Sequence, residues 1–403
     1  MKPRRLSVPA AATVAAIAGC SGDVPGRAGV TSRDSAGVTI VWNESPALRP
    51  PDAWTLADTP DVVIGGESDS TQQLYRVRGA ARLESGALAI ANAGTFQVQV
   101  YDSGGARVRT FGREGSGPGE FSSLDAIWPL PADSILAWDG GRRQIHVFDG
   151  SGRYLRSIRF SSSLADRPRR FPNGEFMGLT GVHDTLPRST NEVWWESWTF
   201  LRFTSEGDSL GHIGPLRGME YMATEWQGSP LRAQRPLGRA ASMAVGDGVF
   251  YYGDSDEYRI LAFEPGGALT RIIERSAAPR PITSEVRAAY IRERLGAAPD
   301  PQLRAAWDQY FANVPFPEDL PAYRQLEVDR EGNLWVQAWD PPGSPEISWS
   351  VFSPAGRWIT EVRGPRGQIL EIGRDYLILL LRDELGVERV AVMRIIKPGT
   401  SAP

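Results

Sequence analysis

Few residues in this sequence have the types and spacing that catalysis requires. His183 and Asp184 form the one adjacent pair of a histidine and a carboxylate, and such a pair can act as a general base. A solvated loop pair without a catalytic role is the alternative interpretation. Ser, His and Asp residues elsewhere are too scattered along the chain to indicate a triad. We therefore predict no catalytic residue and retain His183 and Asp184 as candidates for ligand binding.

Metal and phosphate sites are not indicated either. Three His and one Cys argue against a multi-histidine centre and against a cysteine-based zinc site. Asp254, Asp256 and Glu257 offer hard oxygen ligands for Ca²⁺, but their spacing lacks the full calcium-loop pattern. The glycine-rich segment 112–119 has no Lys, and we expect no helix after it, so it does not match a phosphate-binding loop. We predict no metal and no other cofactor.

Aromatic residues are concentrated in two segments that we place between predicted strands. Trp194, Trp195 and Trp198 lie in the first segment, and Tyr221 and Trp226 lie in the second. An exposed aromatic cluster suits the recognition of a sugar, a peptide or a protein surface. The alternative is that alternating Trp side chains fill the space between packed sheets. We predict that these five residues contribute to ligand binding.

The N-terminus has the features of an export signal. Three basic residues precede a mostly apolar run, 6–19, which is too short to span a bilayer. The run ends at Cys20, the only cysteine, in the sequence Ile-Ala-Gly-Cys, which resembles the bacterial lipoprotein cleavage motif. We expect residues 1–19 to be a lipoprotein signal peptide, Cys20 to carry the lipid, and residues 20–36 to form a flexible tether. The predicted location is the bacterial cell envelope, with the lipid in the membrane; an ordinary secretory signal is the alternative.

Composition and charge exclude two classes of protein. Of the 403 residues, 41% are hydrophobic, which is enough for a packed core. No apolar run beyond the N-terminus reaches about 18 residues, so the chain is not a multi-span membrane protein. The net charge of −4 argues against broad nucleic-acid binding, which needs a basic face. The sequence indicates no oligomeric state.

A repeated pattern governs the rest of the chain. An aromatic residue ends a predicted strand and Gly follows four positions later, at Tyr101/Gly105, Phe148/Gly152, Phe203/Gly207, Phe263/Gly267 and Phe352/Gly356. Gly at this position indicates a tight turn with positive φ. Four-stranded units recur six times and predict an all-β, six-bladed β-propeller over residues 37–397, followed by a tail, 398–403. Because the sixth unit lacks its fourth strand, we expect the segment 61–65 to complete it and close the ring.

Two adjoining segments resemble NHL-type six-bladed propellers. The segment 111–121 contains Gly-Ser-Gly-Pro-Gly-Glu-Phe, which is similar to an inter-blade loop of a bacterial lipoprotein group, and the segment 137–158 follows the blade pattern. In that pattern an Asp ends the second strand, as Asp139 and Asp254 do here. The chain departs from it at Gln144, where Arg is expected. The resemblance implies the propeller fold, which supports receptors, scaffolds, lactonases and lyases alike.

Strand alternation assigns every long insertion to one side of the propeller. Connections from strand two to three, and from strand four to the next unit, emerge on what we call the loop-rich face, and they carry the insertions 113–122, 182–198, 215–238, 277–321 and 340–347. The largest insertion predicts helices within 283–318, because Asp300-Pro301 is a good N-cap and first-turn pair. Its apolar residues either pack on the propeller rim or form a lid over the central mouth.

These features predict a lipid-anchored binding or scaffold module that contacts a protein, peptide or glycan through its loop-rich face. The first alternative is a metal-dependent hydrolase or lyase with its site at the central channel. The second is a structural component of an envelope assembly with no small ligand. The side chains of the channel distinguish these functions, and the candidates in or next to first strands are Arg76, Arg78, Asp125, Arg239 and Arg324.

Overall fold

The computed structural model describes residues 29–66, 73–183, 192–226, 228–296, 300–341 and 343–398. The predicted signal peptide, Cys20 and Asp184 lie outside the described residues. The described chain is mostly β-structure with two α-helices. Neither helix is long and apolar enough to cross a membrane, within the part of the chain that is described.

The strands follow the chain in groups. The N-terminal strands are β1 (Val30–Ser35), β2 (Val38–Asn43), β3 (Thr55–Leu56) and β4 (Val62–Ile64). Sheet one holds β5 (Val77–Arg82), β6 (Leu88–Asn92), β7 (Gln97–Tyr101) and β8 (Arg107–Phe111). Sheet two holds β9 (Leu124–Pro129), β10 (Ile135–Asp139), β11 (Gln144–Phe148) and β12 (Tyr154–Arg159). Sheet three holds β13 (Arg169–Arg170), β14 (Phe176–His183), β15 (Val193–Phe203), β16 (Ser209–Trp226) and β17 (Ser229–Gln234).

The second half of the chain continues in the same way. Sheet four holds β18 (Ser242–Val245), β19 (Phe250–Gly253), β20 (Arg259–Phe263) and β21 (Leu269–Arg275). The helices α1 (Ser284–Gly296) and α2 (Pro301–Asn313) come next. Sheet five holds β22 (Gln325–Val328), β23 (Leu334–Gln337), β24 (Glu346–Phe352) and β25 (Trp358–Pro365), and sheet six holds β26 (Gln368–Ile372), β27 (Tyr376–Arg382) and β28 (Glu388–Ile396). Consecutive strands within each sheet are neighbours, and they pair in antiparallel fashion.

Hydrophobic clusters join each of these sheets to the next. Phe148 of sheet two packs with Val98 of sheet one, and Phe250 of sheet four packs with Phe200 of sheet three. Equivalent clusters lie between sheets two and three, four and five, and five and six. A further cluster joins sheet six back to sheet one. Because the sheets stack face to face around one axis, the chain is a β-propeller.

The turn before each fourth strand follows the predicted pattern. The φ angles are +86° at Gly105, +85° at Gly152, +94° at Gly207, +90° at Gly267 and +82° at Gly356, so the predicted positive φ is confirmed. These turns also lie against the outer strand of the preceding sheet. A Cβ atom on Gly207 would lie 2.3 Å from the carbonyl oxygen of Arg159 in β12. Glycine is therefore needed both for the turn and for the approach of the neighbouring sheet.

The segment from β1 to β4, which we call the N-terminal belt, runs along the outside of three sheets. β2 pairs in parallel with β21, so the β1–β2 hairpin widens sheet four. The backbone amides of Ala47 and Leu48 then donate to carbonyl oxygens of β25 in sheet five. β3 and β4 both pair with β28, and Val62–Ile64 lies opposite Val390–Val392 in sheet six.

The belt changes one predicted boundary. Residues 20–36 were expected to form a flexible tether, but residues 30–35 form β1 and pair along their whole length with β2. Asn43 at the end of β2 explains why this hairpin is held. Its side-chain amide donates to the carbonyl oxygens of Glu274 and Gly356, at 3.0 and 3.1 Å, and its oxygen accepts from the amide of Trp358 at 2.8 Å. The belt is thus part of the folded unit.

Sheet three extends beyond the other sheets on the loop-rich face. We call this extension the raised sheet; it consists of residues 193–199, 214–226 and 228–234. The raised sheet and the helices α1 and α2 together form what we call the cap. Met222 packs with Tyr310, Phe311 and Val314 in a core of its own. As predicted, Asp300 caps α2, and its carboxylate accepts from the amide of Leu303 at 2.8 Å.

The cap corrects two expectations from the sequence. Most of the insertions 182–198 and 215–238 were expected to be loops, but they continue the strands β14 to β17 as paired sheet. The helices pack on this raised sheet, so they lie on the loop-rich face beside sheet three. The physical reason is that apolar residues alternate along β15 and β16 and require a second layer, which α2 provides.

Candidate functional site

The first strands of all six sheets line one axial cavity of about 810 Å³. Its wall includes Arg82 of sheet one, Ile127 of sheet two, Arg169 of sheet three, Glu327 of sheet five and Glu371 of sheet six. The end of β18 contributes the sheet-four part of the wall. The cavity is therefore the central channel that a propeller forms along its axis.

A second cavity, of about 540 Å³, opens at the loop-rich end of this channel. It is bordered by Asp125 and by the loop that follows β10. Arg78, Arg167 and Gln368 border both cavities. These three side chains, from sheets one, three and six, therefore mark the level at which the two cavities meet.

Several carboxylates in the channel wall are bound to protein groups. The carboxylate of Glu371 accepts from the amide of Arg82 at 2.7 Å and from the hydroxyl of Tyr376 at 2.9 Å, and it pairs with Arg330. Burial raises the pKa of Glu371 above its usual range, although the Arg330 charge opposes the shift. Glu327 accepts from the side-chain amide of Gln325 at 2.6 Å. These acids are held in place by the wall itself.

Asp329 is the most completely bonded of these acids. Its oxygens accept from the side chains of Asn333 and Trp335, both at 2.9 Å, and from the backbone amides of Glu331 and Asn333. The carboxylate is 6% exposed and organises the turn between β22 and β23. It is therefore a structural group of sheet five.

Four arginines of the channel differ from these acids because they lack an oppositely charged partner within the part of the chain that the structure describes. Arg78, Arg167, Arg169 and Arg170 have no carboxylate within ion-pair distance among the described residues. Arg169 donates to the carbonyl oxygen of Arg167 at 3.1 Å. Burial, together with the charge of Arg167, lowers the pKa of Arg169 to about 10. The channel thus holds guanidinium groups whose charge the described protein does not neutralise at close range.

Of the predicted channel residues, Arg78 and Asp125 border the cavities, whereas Arg76, Arg239 and Arg324 are not among the lining residues. The prediction missed Arg167, Arg169 and Arg170. β13 has only two residues, so the repeat is weakest there. The available signal was the density of Arg in the segment 167–170.

His183 lies at the end of β14, exposed on the loop-rich face, and opposite Ser197 of β15. Its predicted partner Asp184 is outside the described residues, so the pair remains a prediction. Trp195 is half-buried, and the Arg217 guanidinium lies 5.1 Å from the centre of its ring. Arg217 also pairs with Asp256 at 3.3 Å, so that acid neutralises a cation of the cap.

The other predicted aromatic residues are largely covered. Trp194 is 8% exposed and stacks on Tyr221, with ring centroids 6.3 Å apart. Arg232 lies 4.0 Å above the centre of the Tyr221 ring and pairs with Glu196. The predicted exposure is therefore wrong for Trp194, because cross-strand stacking within the raised sheet buries it.

Trp198 and Trp226 also have structural surroundings. Trp198 is 7% exposed, belongs to the cluster between sheets three and four, and donates to Glu196 at 2.9 Å. Trp226 is half-buried, with its ring 5.0 Å from that of Trp307 in α2. The predicted exposure is thus wrong for Trp198, which fills space between sheets as the alternative held. The structure brings the six described site candidates into or beside the cap, but mainly as packing groups.

A metal site is the alternative function predicted for the channel. Among the residues that the structure describes, no three His, Cys, Asp or Glu side chains are grouped so as to hold a metal ion. The channel wall instead combines arginines with acids, several of which already have protein partners. Such an arrangement can bind charged groups without a metal.

Comparisons with known proteins give similarity in structure only. No family model matches the chain, and no curated protein matches it. The chain is similar to a member of the DUF4221 family from Bacteroides vulgatus, with 11% identity over 86% of this chain and 99% of that one, and a TM-score of 0.48. It is also similar to a gluconolactonase from Xanthomonas campestris, with 14% identity over 87% and 99% of the two chains and a TM-score of 0.40. Similarity at this level assigns no family, ligand or reaction to the chain, and the NHL resemblance stays a prediction.

Proposed function

We propose that this protein is a lipid-anchored binding module of the bacterial envelope, built as a closed ring of six blades, whose cap binds a partner polypeptide. The main support for this proposal is the presence of the cap. It combines a raised sheet and two helices around a hydrophobic core, and all of it lies on one face. Binding groups in proteins are commonly placed on insertions supported by a rigid frame.

The covering of the aromatic rings favours a polypeptide over a glycan. Sugars stack on open aromatic faces, but Arg217 covers Trp195 and Arg232 covers Tyr221. What the cap offers instead is exposed apolar side chains and hydrogen-bonding groups at strand edges. Leu231 in β17 is 37% exposed, and β17 pairs only with β16 in the described chain. An edge strand of this kind can pair with an extended segment of a partner.

The test is recovery of a partner from envelope extract with purified wild-type and variant proteins, followed by crosslinking to locate the contact. Leu231→Asp should abolish recovery of a polypeptide that crosslinks to the cap. Val108→Asp, on the outer strand of sheet one and 56% exposed, is the matched control and should retain it. Recovery that is unaffected by Leu231→Asp, or recovery of glycans alone, would contradict the proposal. A hydrolytic activity that depends on one bound metal ion would instead support the alternative.

Lipid anchoring is tested separately. Cys20→Ala removes the thiol that would receive the lipid, so the variant should move from the membrane fraction to the soluble fraction of the cell envelope. Ser21→Ala is the control and should stay with the membrane. Membrane retention of Cys20→Ala would contradict the anchoring part of the proposal and leave the binding part intact.

A further inference from the structure

We propose that the central channel binds a small organic anion through carboxylate or phosphate groups, held by Arg78, Arg167 and Arg169. This site is separate from the cap and does not depend on a partner polypeptide. Arg78 and Arg167 border both cavities, and Arg169 lies next to them in the wall of the larger one. Three guanidinium groups from two sheets therefore surround the point at which the two cavities meet.

The ion pairs that are present and absent in the channel indicate the sign of the ligand's charge. The carboxylates of Asp329 and Glu371 are occupied by backbone amides, side-chain donors or Arg330. The three arginines have no such carboxylate partner among the described residues. Asp166 borders the smaller cavity beside Arg167 and lies near Arg169, but it forms no ion pair with either of them within the described chain. The three guanidinium groups therefore keep their charge at close range, and an anion is the ligand that would neutralise it.

Partial withdrawal from water gives these unpaired guanidinium groups a reason to bind an anion. A guanidinium group withdrawn from water without a counter-ion is destabilised, and a bound oxyanion offsets that cost. Arg169 is in this position, because its one described side-chain hydrogen bond goes to the neutral carbonyl oxygen of Arg167. The planar guanidinium fork also matches the two oxygens of a carboxylate or phosphate.

The size of the cavity limits the size of the ligand, and the acids of its wall limit where the ligand's charged groups can lie. The larger cavity, of about 810 Å³, lies within the range of pockets that hold small organic molecules. Asp166 and, on sheet five, Glu327 are both close enough to Arg169 to oppose the lowering of its pKa, although neither forms an ion pair with it among the described residues. An anion whose charged groups lie in the larger cavity, on the side of sheets one and three, is kept away from Glu327 and from Asp166, which borders only the smaller cavity.

The experiment is isothermal titration calorimetry of citrate and of inorganic phosphate at constant ionic strength, with glycerol as the uncharged control. Wild-type protein should bind at least one of the two anions and should not bind glycerol. Arg169→Gln should weaken anion binding at least tenfold, because it removes the charge of this half-buried side chain but keeps hydrogen-bonding groups. Arg107→Gln, on the exposed strand β8, should bind as the wild type does. Tighter binding of citrate would assign a carboxylate ligand, and tighter binding of phosphate a phosphorylated one.

Arg78→Gln provides a second variant, since this exposed side chain is not needed for packing. It should also weaken binding and should leave the thermal unfolding midpoint unchanged. If the wild type binds neither anion at millimolar concentration, or if Arg169→Gln and Arg78→Gln bind both anions as tightly as the wild type, the proposal is wrong.

Discussion

The cap and the channel use the same residue, arginine, in opposite ways. In the cap, Arg217 and Arg232 each pair with an acid and also lie over an aromatic ring, and Arg235, the next residue after β17, pairs with Glu220 of the cap. In the channel, Arg78, Arg167 and Arg169 face a cavity without a carboxylate at ion-pair distance among the described residues. Arginine therefore stabilises the fold in the first region and leaves a charge available to a ligand in the second.

This difference has an energetic consequence. Removing one member of a buried ion pair leaves the other member buried and uncompensated, which costs about 3–5 kcal/mol. Removing an unpaired, half-buried cation relieves a desolvation cost instead. Substitutions in the two regions are therefore expected to change the free energy of unfolding by different amounts, and even with different signs.

The largest effect is expected at Glu220 in the cap. Its carboxylate is 8% exposed, accepts from Arg235 at 2.8 Å, and accepts from the amide of Arg239 at 2.9 Å. Glu220→Gln keeps the size of the side chain but removes the charge that compensates Arg235. We expect the free energy of unfolding to fall by about 3 kcal/mol, measured by urea denaturation. Glu225→Gln, exposed on the same strand, is the control, and an equal loss in both variants would contradict the account.

A smaller loss is expected where the belt holds the ring that surrounds the channel. Asn43→Ala removes three hydrogen bonds that join β2 to sheets four and five, and it leaves their backbone partners without them. The expected loss is about 2 kcal/mol, read from the same denaturation curves. Ser32→Ala on the exposed strand β1 should change stability by less than about 0.5 kcal/mol. If Asn43→Ala were equally mild, the belt would not be a structural part of the ring.

Arg232 should show the smallest loss in the cap. Its side chain is 38% exposed, so solvent weakens both its ion pair with Glu196 and its contact with the Tyr221 ring. We expect Arg232→Met to lower the free energy of unfolding by about 1 kcal/mol. The near-ultraviolet circular dichroism of the aromatic residues should change as well. If Arg232→Met lowered the free energy of unfolding as much as Glu220→Gln does, solvent exposure would not determine how strongly these arginine ion pairs stabilise the cap.

Much of the propeller was predictable because the sequence patterns that specify its turns and strands are local and repeated. The aromatic residue and Gly of each turn recur at fixed spacing, and the φ angles of Gly105 and Gly207 agree with the predicted turn. The N-cap of α2 at Asp300 was predictable for the same reason. Local patterns are specified by a few adjacent residues, so a single sequence reveals them.

The belt, the cap and the channel arginines depend on long-range contacts. β2 pairs with β21, which lies more than two hundred residues later in the chain. The sequence of the segment 38–43 does not indicate this pairing. The burial of Trp194 and Trp198 depends on pairing of β15 with β16 and on packing against another sheet. Arg169 could be placed in the channel only once the structure showed which side chains of the two-residue strand β13 line the cavity.

The most direct test of the contrast between the two regions is urea denaturation of Arg235→Met and Arg169→Met measured side by side. Arg235 pairs with Glu220 and also donates to the carbonyl oxygen of Pro315 at 2.7 Å, so its loss should lower the free energy of unfolding by about 3 kcal/mol or more. Arg169→Met should leave that free energy within about 1 kcal/mol of the wild type, or raise it. Equal and large losses in both variants would contradict the claim that the channel arginine is free for a ligand.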